Sequence, residues 1–405
     1  MAFIRGVYIQ DGTNLDAAGR LKVTESSNFI SALFQYNLNP LLIETGNSGT
    51  CVAPSYSITS RLGALSCTAG TGTSWAQTFQ YYPITAGKST QFVIDGIIGA
   101  AVANVTVDLG AFDAFGGILF RQNGTTGLEI IHRSSVTGSI VENVYSQSNW
   151  NLDKMDGTGS ASALDITKLT SIVIDIQFIS RARVGFIVDG LLFYAHQIDF
   201  SNTLSGATFD YQAYPLQALI TSTSSGSTKT SYIKGMFVNA EVGYKDNFAF
   251  TTSSPEGTVT AANGSRTHLI SLIPKTSFNG ITNRTYFSID TANILVTGNN
   301  PVYWELCVGS TFSVAPTFTD VNTTYSALEY GTGGTLSTAG LVISSGYVSS
   351  SNQVKDTLGI KREFALPISL DRSGNQRAFG TLSLIVTGIG GTSASRATFD
   401  MTEIR

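Results

Sequence analysis

A chain of 405 residues is too long for one ordinary hydrophobic core, so two or three domains are expected, each large enough to fold without metal or disulfide staples. Hydrophobic residues at 42% with 41 glycines exclude a disordered chain, while charged residues at 13% are about half of the usual share of roughly 25%. The net charge of -4, with Lys and Arg scattered, excludes a phosphate-gripping surface and nucleic acid as a partner, and no apolar run approaches the ~20 residues of a membrane span.

The opening, MAFIRGVYIQDGTNLD, lacks the apolar stretch of a signal peptide before its first turn residues, so synthesis in a cytoplasm is expected. The first 70 residues, with DGTNLDAAGRLKV and QYNLNPLLIE, read as an irregular arm that docks elsewhere. Within them SSNFISALFQY, with Phe29, Leu33 and Tyr36, admits a helical turn or two, as does ASALDITKLTS further on. From there period-2 alternation dominates, through QFVIDGIIGA and GGILFRQNGTTGLEIIHRSSVTGSIVENVYSQ to SYIKGMFVNAEVGY. In SIVIDIQFIS, Ile172, Ile174, Ile176 and Phe178 share one face, and Val173, Asp175 and Gln177 the other. In GFIVDGLLFYAHQI, beginning at Gly185, the Asp189-Gly190 pair suits a type I′ hairpin turn, which places His196 on the return strand.

Near GYKDNFAFTTSSPEGTV the strand rhythm is broken by Pro255 and Gly257, which marks a domain boundary. Beyond it come RTHLISLIPK, TANILVTGNNPVYWELCVG, GGTLSTAGLVISSGYVSSS, KREFALPISL and GTLSLIVTGIGG. Many short strands at this spacing, with Gly and Pro between them, predict an all-β chain of two tandem antiparallel β-sandwiches. The first would be of jelly-roll or concanavalin/laminin-G-like type. The expected segments are an arm over 1–70, a first sandwich over 71–247 and a second over 248–405.

Catalytic patterns are scarce. His132, His196 and His268 lie far apart and outside any zinc-protease spacing, so each is expected on an ordinary strand. A glycan-cleaving sandwich would need two facing carboxylates. The nearest candidates, Asp108, Asp113 and Asp175, are better read as turn and edge residues. DKMDGTGS around Asp156 lacks the spacing of a calcium loop, and the glycine-rich GTGGT and GIGG open no helix. No cofactor or metal is expected. Cys51, Cys67 and Cys307 are an odd number without metal spacing, read as buried thiols, with a Cys51 to Cys67 bridge across a hairpin as the alternative. Trp75, Tyr81, Tyr82 and Trp150 lie in mixed polar segments and are the candidates for a shallow sugar-binding surface, set against burial in strands.

Three blocks together resemble a family of virion structural proteins of tailed bacteriophages: LDAAGRLKVTESSNFI at the start; FQYYPITAGKS, GGILFRQNGTTGLEIIHRSSVTGS, NWNLDKMDGTGSA and ARVGFIVDG in the middle; and SFNGITNR, GNNPVYWEL, LVISSGYV and VTGIGGTSASRATFDMTEIR at the end. The opening departs from that pattern at Ala18 and Lys22. The resemblance implies a non-enzymatic structural component of a virion, made in the host cytoplasm, on the head, neck or tail. It would assemble with copies of itself and other virion proteins as a symmetric oligomer. The alternative is a carbohydrate- or receptor-binding module of a phage fibre, with a host surface glycan as partner.

Overall fold

The computed structural model describes residues 26–84, 89–177, 180–200, 213–224, 228–241, 248–252, 259–349, 354–359 and 368–404. Their regular structure is β-strand, with a 3-10 turn at Gln147–Asn149. The chain divides into two compact units: unit 1 takes Met1–Thr78 and Ile84–Gly243, and unit 2 takes Phe79–Pro83 and Tyr244–Arg405. The opening of the virion-like pattern, with Ala18 and Lys22, and the boundary residues Pro255 and Gly257 lie outside the described residues.

Thirteen strands of unit 1 form one hydrogen-bonded sheet. They are β1 (Ser26–Leu33), β2 (Ile43–Ser57), β3 (Leu62–Thr78), β4 (Ser89–Ile97), β5 (Val105–Phe112), β6 (Gly117–Asn123) and β7 (Gly127–Ser134), followed by β8 (Val141–Ser146), β9 (Thr170–Gln177), β10 (Arg181–Val188), β11 (Leu191–Asp199), β12 (Leu216–Ser222) and β13 (Lys229–Glu241). The order runs β11-β10-β9-β4-β13-β3-β12-β5-β6-β7-β8, with β1 beside β13 and β2 beside β3. The long β3 pairs with β13 over its first half and with β12 over its second, so the sheet folds back on itself. The two halves then face each other as a sandwich, and Phe120 of β6 meets Phe186 of β10 edge-on at 5.0 Å. Ile172, Ile174 and Ile176, expected on one face, are all buried.

The expected arm is corrected over residues 26–70, which supply β1, β2 and most of β3. Their alternation is hidden because β2 is long and largely exposed, so Gly, Ser and Thr stand where other strands carry Val and Ile. Ser26–Leu33 is likewise a strand rather than a helical turn, held on β13 with Ile30 and Ala32 buried. Cys51 and Cys67 stand directly opposite each other on β2 and β3 and form a disulfide, while Cys307 is a buried free thiol. Burial pushes the Cys307 thiol up to about 12. Two of the three thiols expected free are therefore bonded, because the register places them face to face.

The hairpin at Asp189 and Gly190 has positive φ at both residues, 52° and 81°, as a type I′ turn requires. Unit 2 is built on two further sheets. Strands β14 (Phe248–Thr251), β15 (Val259–Ala261), β17 (Tyr286–Val296), β22 (Val354–Gly359) and β24 (Ser393–Ile404) form one of them. The other comprises β16 (Thr267–Pro274), β18 (Val302–Val308), β19 (Thr317–Asp320), β20 (Leu328–Thr332), β21 (Leu341–Val348) and β23 (Leu382–Gly388). A single apolar core joins them, with Phe287, Ile294, Phe399 and Met401 from the first sheet and Trp304, Leu306, Leu384 and Val386 from the second. The whole described chain is thus all-β.

Candidate functional site

Across β2, β3, β12, β5, β6, β7 and β8 the registers bring one residue from each strand into a single row: Gly46, Trp75, Leu219, Asp108, Arg121, Glu129 and Ser146. Directly opposed residues point to the same side of a sheet, so these side chains share a face. It is the side of the sheet opposite to Phe120, which packs on Phe186 across the sandwich, and on it Leu219 packs against a small buried cluster of Phe112, Leu119 and Ile131, leaving Trp75 and the row beside it more exposed. The adjacent row, two residues along each strand, is Ser48, Thr73, Thr221, Thr106 and Asn123. All five are at least partly exposed, and the Ser48 and Thr73 hydroxyls hydrogen-bond at 2.8 Å.

Trp75 is half-buried, and its indole sits close over Gly46 of β2. A Cβ on residue 46 would collide with its six-membered ring, so only a glycine there leaves room for the indole on the strand. Three strand spacings, about 14 Å, separate Trp75 from Arg121. Between them lie Leu219 and Asp108, and the hydroxyl row runs alongside.

The charged end of the face is a closed network. Arg121 donates through Nε and Nη2 to the two oxygens of Asp108 at 2.7 and 2.8 Å, and through Nη1 to Glu142 at 2.8 Å. Arg133 binds the same Glu142 through Nη2 at 2.7 Å and the Asp113 carbonyl through Nη1 at 2.7 Å. Burial works against ionisation of Glu142, but the two guanidiniums overcome it and hold the carboxyl below its ordinary range. Glu129, on the far side of Arg121, accepts a hydrogen bond from the Thr126 hydroxyl.

Of the four aromatic candidates, only Trp75 reaches this surface. Tyr81, Tyr82 and Trp150 are 3%, 1% and 3% exposed, which corrects their assignment to a sugar-binding surface. Trp150 stacks on Phe186 at 5.9 Å and donates its Nε1 hydrogen to the Tyr145 carbonyl at 3.1 Å. Tyr81 lies under the Arg284 guanidinium at 4.1 Å. Asp113 has the expected turn role, accepting the Phe115 and Gly116 N–H groups. Asp108 and Asp175 are not edge residues, since both sit on strands paired on two sides. Asp175 is buried and accepts from the Tyr194 hydroxyl at 3.0 Å and from Gln177 at 2.9 Å.

The histidines sit on strands. His196 accepts the Asn151 N–H at 3.2 Å and lies against the Tyr145 ring, and burial lowers its pKa. His132 packs on Phe200. His268 is hydrogen-bonded to Ser271, which is bonded in turn to Ser383, and burial lowers it to about 4. Asp156 accepts from Thr158 in an exposed turn, and among the described residues no group of three or more His, Cys, Asp and Glu converges to hold a metal.

Sequence reading missed Lys229, which stands opposite Cys67 and is 4% exposed. Its Nζ donates to Gln122 at 2.7 Å and to the Ala100 carbonyl, and burial lowers its pKa to about 8. The unfolded chain, with an ordinary lysine near 10.4, binds the extra proton between these limits. Stability therefore carries the full penalty below pH 8 and gains as pH rises towards 10.4. Denaturant titrations of the wild type and Lys229→Met are expected to show a constant difference below pH 8 that shifts in favour of the wild type between pH 8 and 10.

No protein-family model matches the sequence, and no curated protein sequence matches it. Solved structures do resemble it. An endo-1,3-beta-glucanase from Streptomyces sioyaensis is 10% identical, over 54% of this chain and 97% of its own, at a TM-score of 0.39. A seed lectin of Lotus tetragonolobus is 10% identical over 53% and 100%, at 0.33, and a legume lectin-like domain from Entamoeba histolytica is 12% identical over 53% and 97%, at 0.30. The expectation that the chain is not an enzyme is corrected here. Glucanases stand beside lectins among these similar structures, so a non-enzymatic role does not follow from the fold.

Proposed function

We propose that this protein binds carbohydrate at the exposed Trp75 end of this face of unit 1, with Trp75 as the stacking platform. One observation carries the reading: a half-buried indole seated over Gly46, in register with a charged row and beside a row of four hydroxyls and an amide. Sugar rings present apolar C–H faces and hydroxyl edges, so they need an aromatic plane flanked by hydrogen-bonding groups. The face supplies both. Replacing Trp75 with alanine is expected to weaken binding of the best ligand from a glycan array by at least 10-fold, as for a central aromatic anchor of ~2 kcal/mol. Unchanged affinity in Trp75→Ala, or no ligand on the array, would sink the proposal.

A second reading, compatible with the first, is that the protein is a component of a bacteriophage virion that assembles with copies of itself. Its support is the ordered series of sequence blocks and the Cys51–Cys67 disulfide, a bond that persists on particle surfaces rather than in a reducing cytoplasm. Immunogold labelling of purified particles tests it: labelled particles support the role, and unlabelled particles that lack the protein overturn it.

A further inference from the structure

Unit 2 holds a cleft of about 480 Å³, the size of a small-molecule site. One wall is a short hairpin, Ser277–Phe278 with Ile281–Thr282, turned tightly at Asn279 and Gly280, where φ is 51° and 80°. The other wall is the end of the second sheet, where Ile273, Glu329 and Asp320 stand in one row across β16, β20 and β19. Lys275, which also lines the cleft, is nine-tenths buried, with its Nζ 3.1 Å from Asp320, 3.2 Å from the Asn322 carbonyl and 5.7 Å from the centre of the Phe278 ring.

The charges in this cleft do not balance. Asp320 is taken by Lys275, while Glu329, directly opposite Asp320, accepts no hydrogen bond among the described residues. Two carboxylates against one ammonium leave one negative charge beside a half-buried aromatic ring. Like charges facing each other across strands are destabilising, and burial followed by the Asp320 charge pushes the Glu329 carboxyl up. A second cation would relieve both costs. Asn279, Thr276, Ser277 and Gln376 line the same cleft with neutral polar groups suited to hydroxyls.

We infer that this cleft is a second saccharide site, selective for an amino sugar whose ammonium pairs with Glu329 while its ring hydroxyls meet the neighbouring polar side chains. The choice of a saccharide over another amine rests on the carbohydrate-binding reading; the site itself is separate from Trp75. Calorimetric titration of the full chain with glucosamine, glucose and butylamine tests it. Glucosamine is expected to bind at least 10-fold more tightly than glucose or butylamine. Glu329→Gln, with a melting temperature close to wild type, should reduce glucosamine to the glucose level. Binding should also fade on acidification as Glu329 takes up its proton.

Equal affinity for glucosamine and glucose, or no effect of Glu329→Gln, would overturn the site. Butylamine binding as well as glucosamine would overturn the saccharide assignment alone. If array glycans fail at Trp75 while glucosamine still titrates with Glu329, the first reading falls and this one stands.

Discussion

Replacing Arg121 with methionine is expected to destabilise unit 1 by about 3 to 5 kcal/mol, because it strands a buried negative charge. Asp108 is 3% exposed, and Arg121 occupies both of its oxygens. Without the guanidinium, Asp108 must remain ionised in an apolar strand or take up a proton, and both cost stability. Glu142 would keep Arg133, so the loss centres on Asp108. The combined variant Arg121→Met with Asp108→Leu removes both charges and should recover most of the loss. Urea unfolding followed by tryptophan fluorescence measures this, since Trp75 and Trp150 lie in unit 1. A loss under 1 kcal/mol for the single variant would mean that the pair is solvated and the face more open than its burial indicates.

The second large effect is expected at the disulfide. Cys51 and Cys67 are 16 residues apart, and closing a loop of that size removes about 3 kcal/mol of unfolded-chain entropy. The paired substitution Cys51→Ala with Cys67→Ala should therefore lower the stability of unit 1 by about 2 to 4 kcal/mol. A reductant should act on the wild type only after unfolding, because both residues are buried. Mass spectrometry of alkylated protein before and after denaturation provides the check. Alkylation of Cys51 or Cys67 in the native oxidised protein would show that the bond does not form. These two substitutions act at separate places on the sheet, and an additive double variant would confirm their independence.

Much of the fold was legible because alternation is a local signal. Ile172, Ile174 and Ile176 alternate with a polar-containing face, and Asp189-Gly190 specifies its own turn. Residues 26–70 were not legible as strands, since β2 carries its sheet pairing in the backbone while its side chains face water. The candidate face was legible only at Trp75. Its other members are scattered along the chain from Gly46 to Leu219, and register, which decides who stands beside whom, is set by pairings such as β3 with β12 that no short window contains. Tyr81, Tyr82 and Trp150 fail for a related reason: a mixed local composition does not reveal that a ring packs inward, and Trp150, just after the 3-10 turn, has no strand alternation to show its side. The imbalance at Glu329 is also a product of register, since Asp320 and Glu329 belong to opposing strands.

The pairing of β1 with β13 has a consequence for the order of synthesis. The first described strand leaves the ribosome roughly 200 residues before its partner, which at ordinary elongation rates is about 10 to 40 s. Throughout that interval Ile30 and Ala32 have no sheet to cover them, and the first half of β3 also lacks its β13 neighbour. Unit 1 can then close only once residue 241 has emerged, so its folding is governed by the arrival of one late strand rather than by growth from the amino-terminal end. A nascent chain arrested before β13 would be held in a half-built state whose open strand edges invite capture by a chaperone or by another nascent copy.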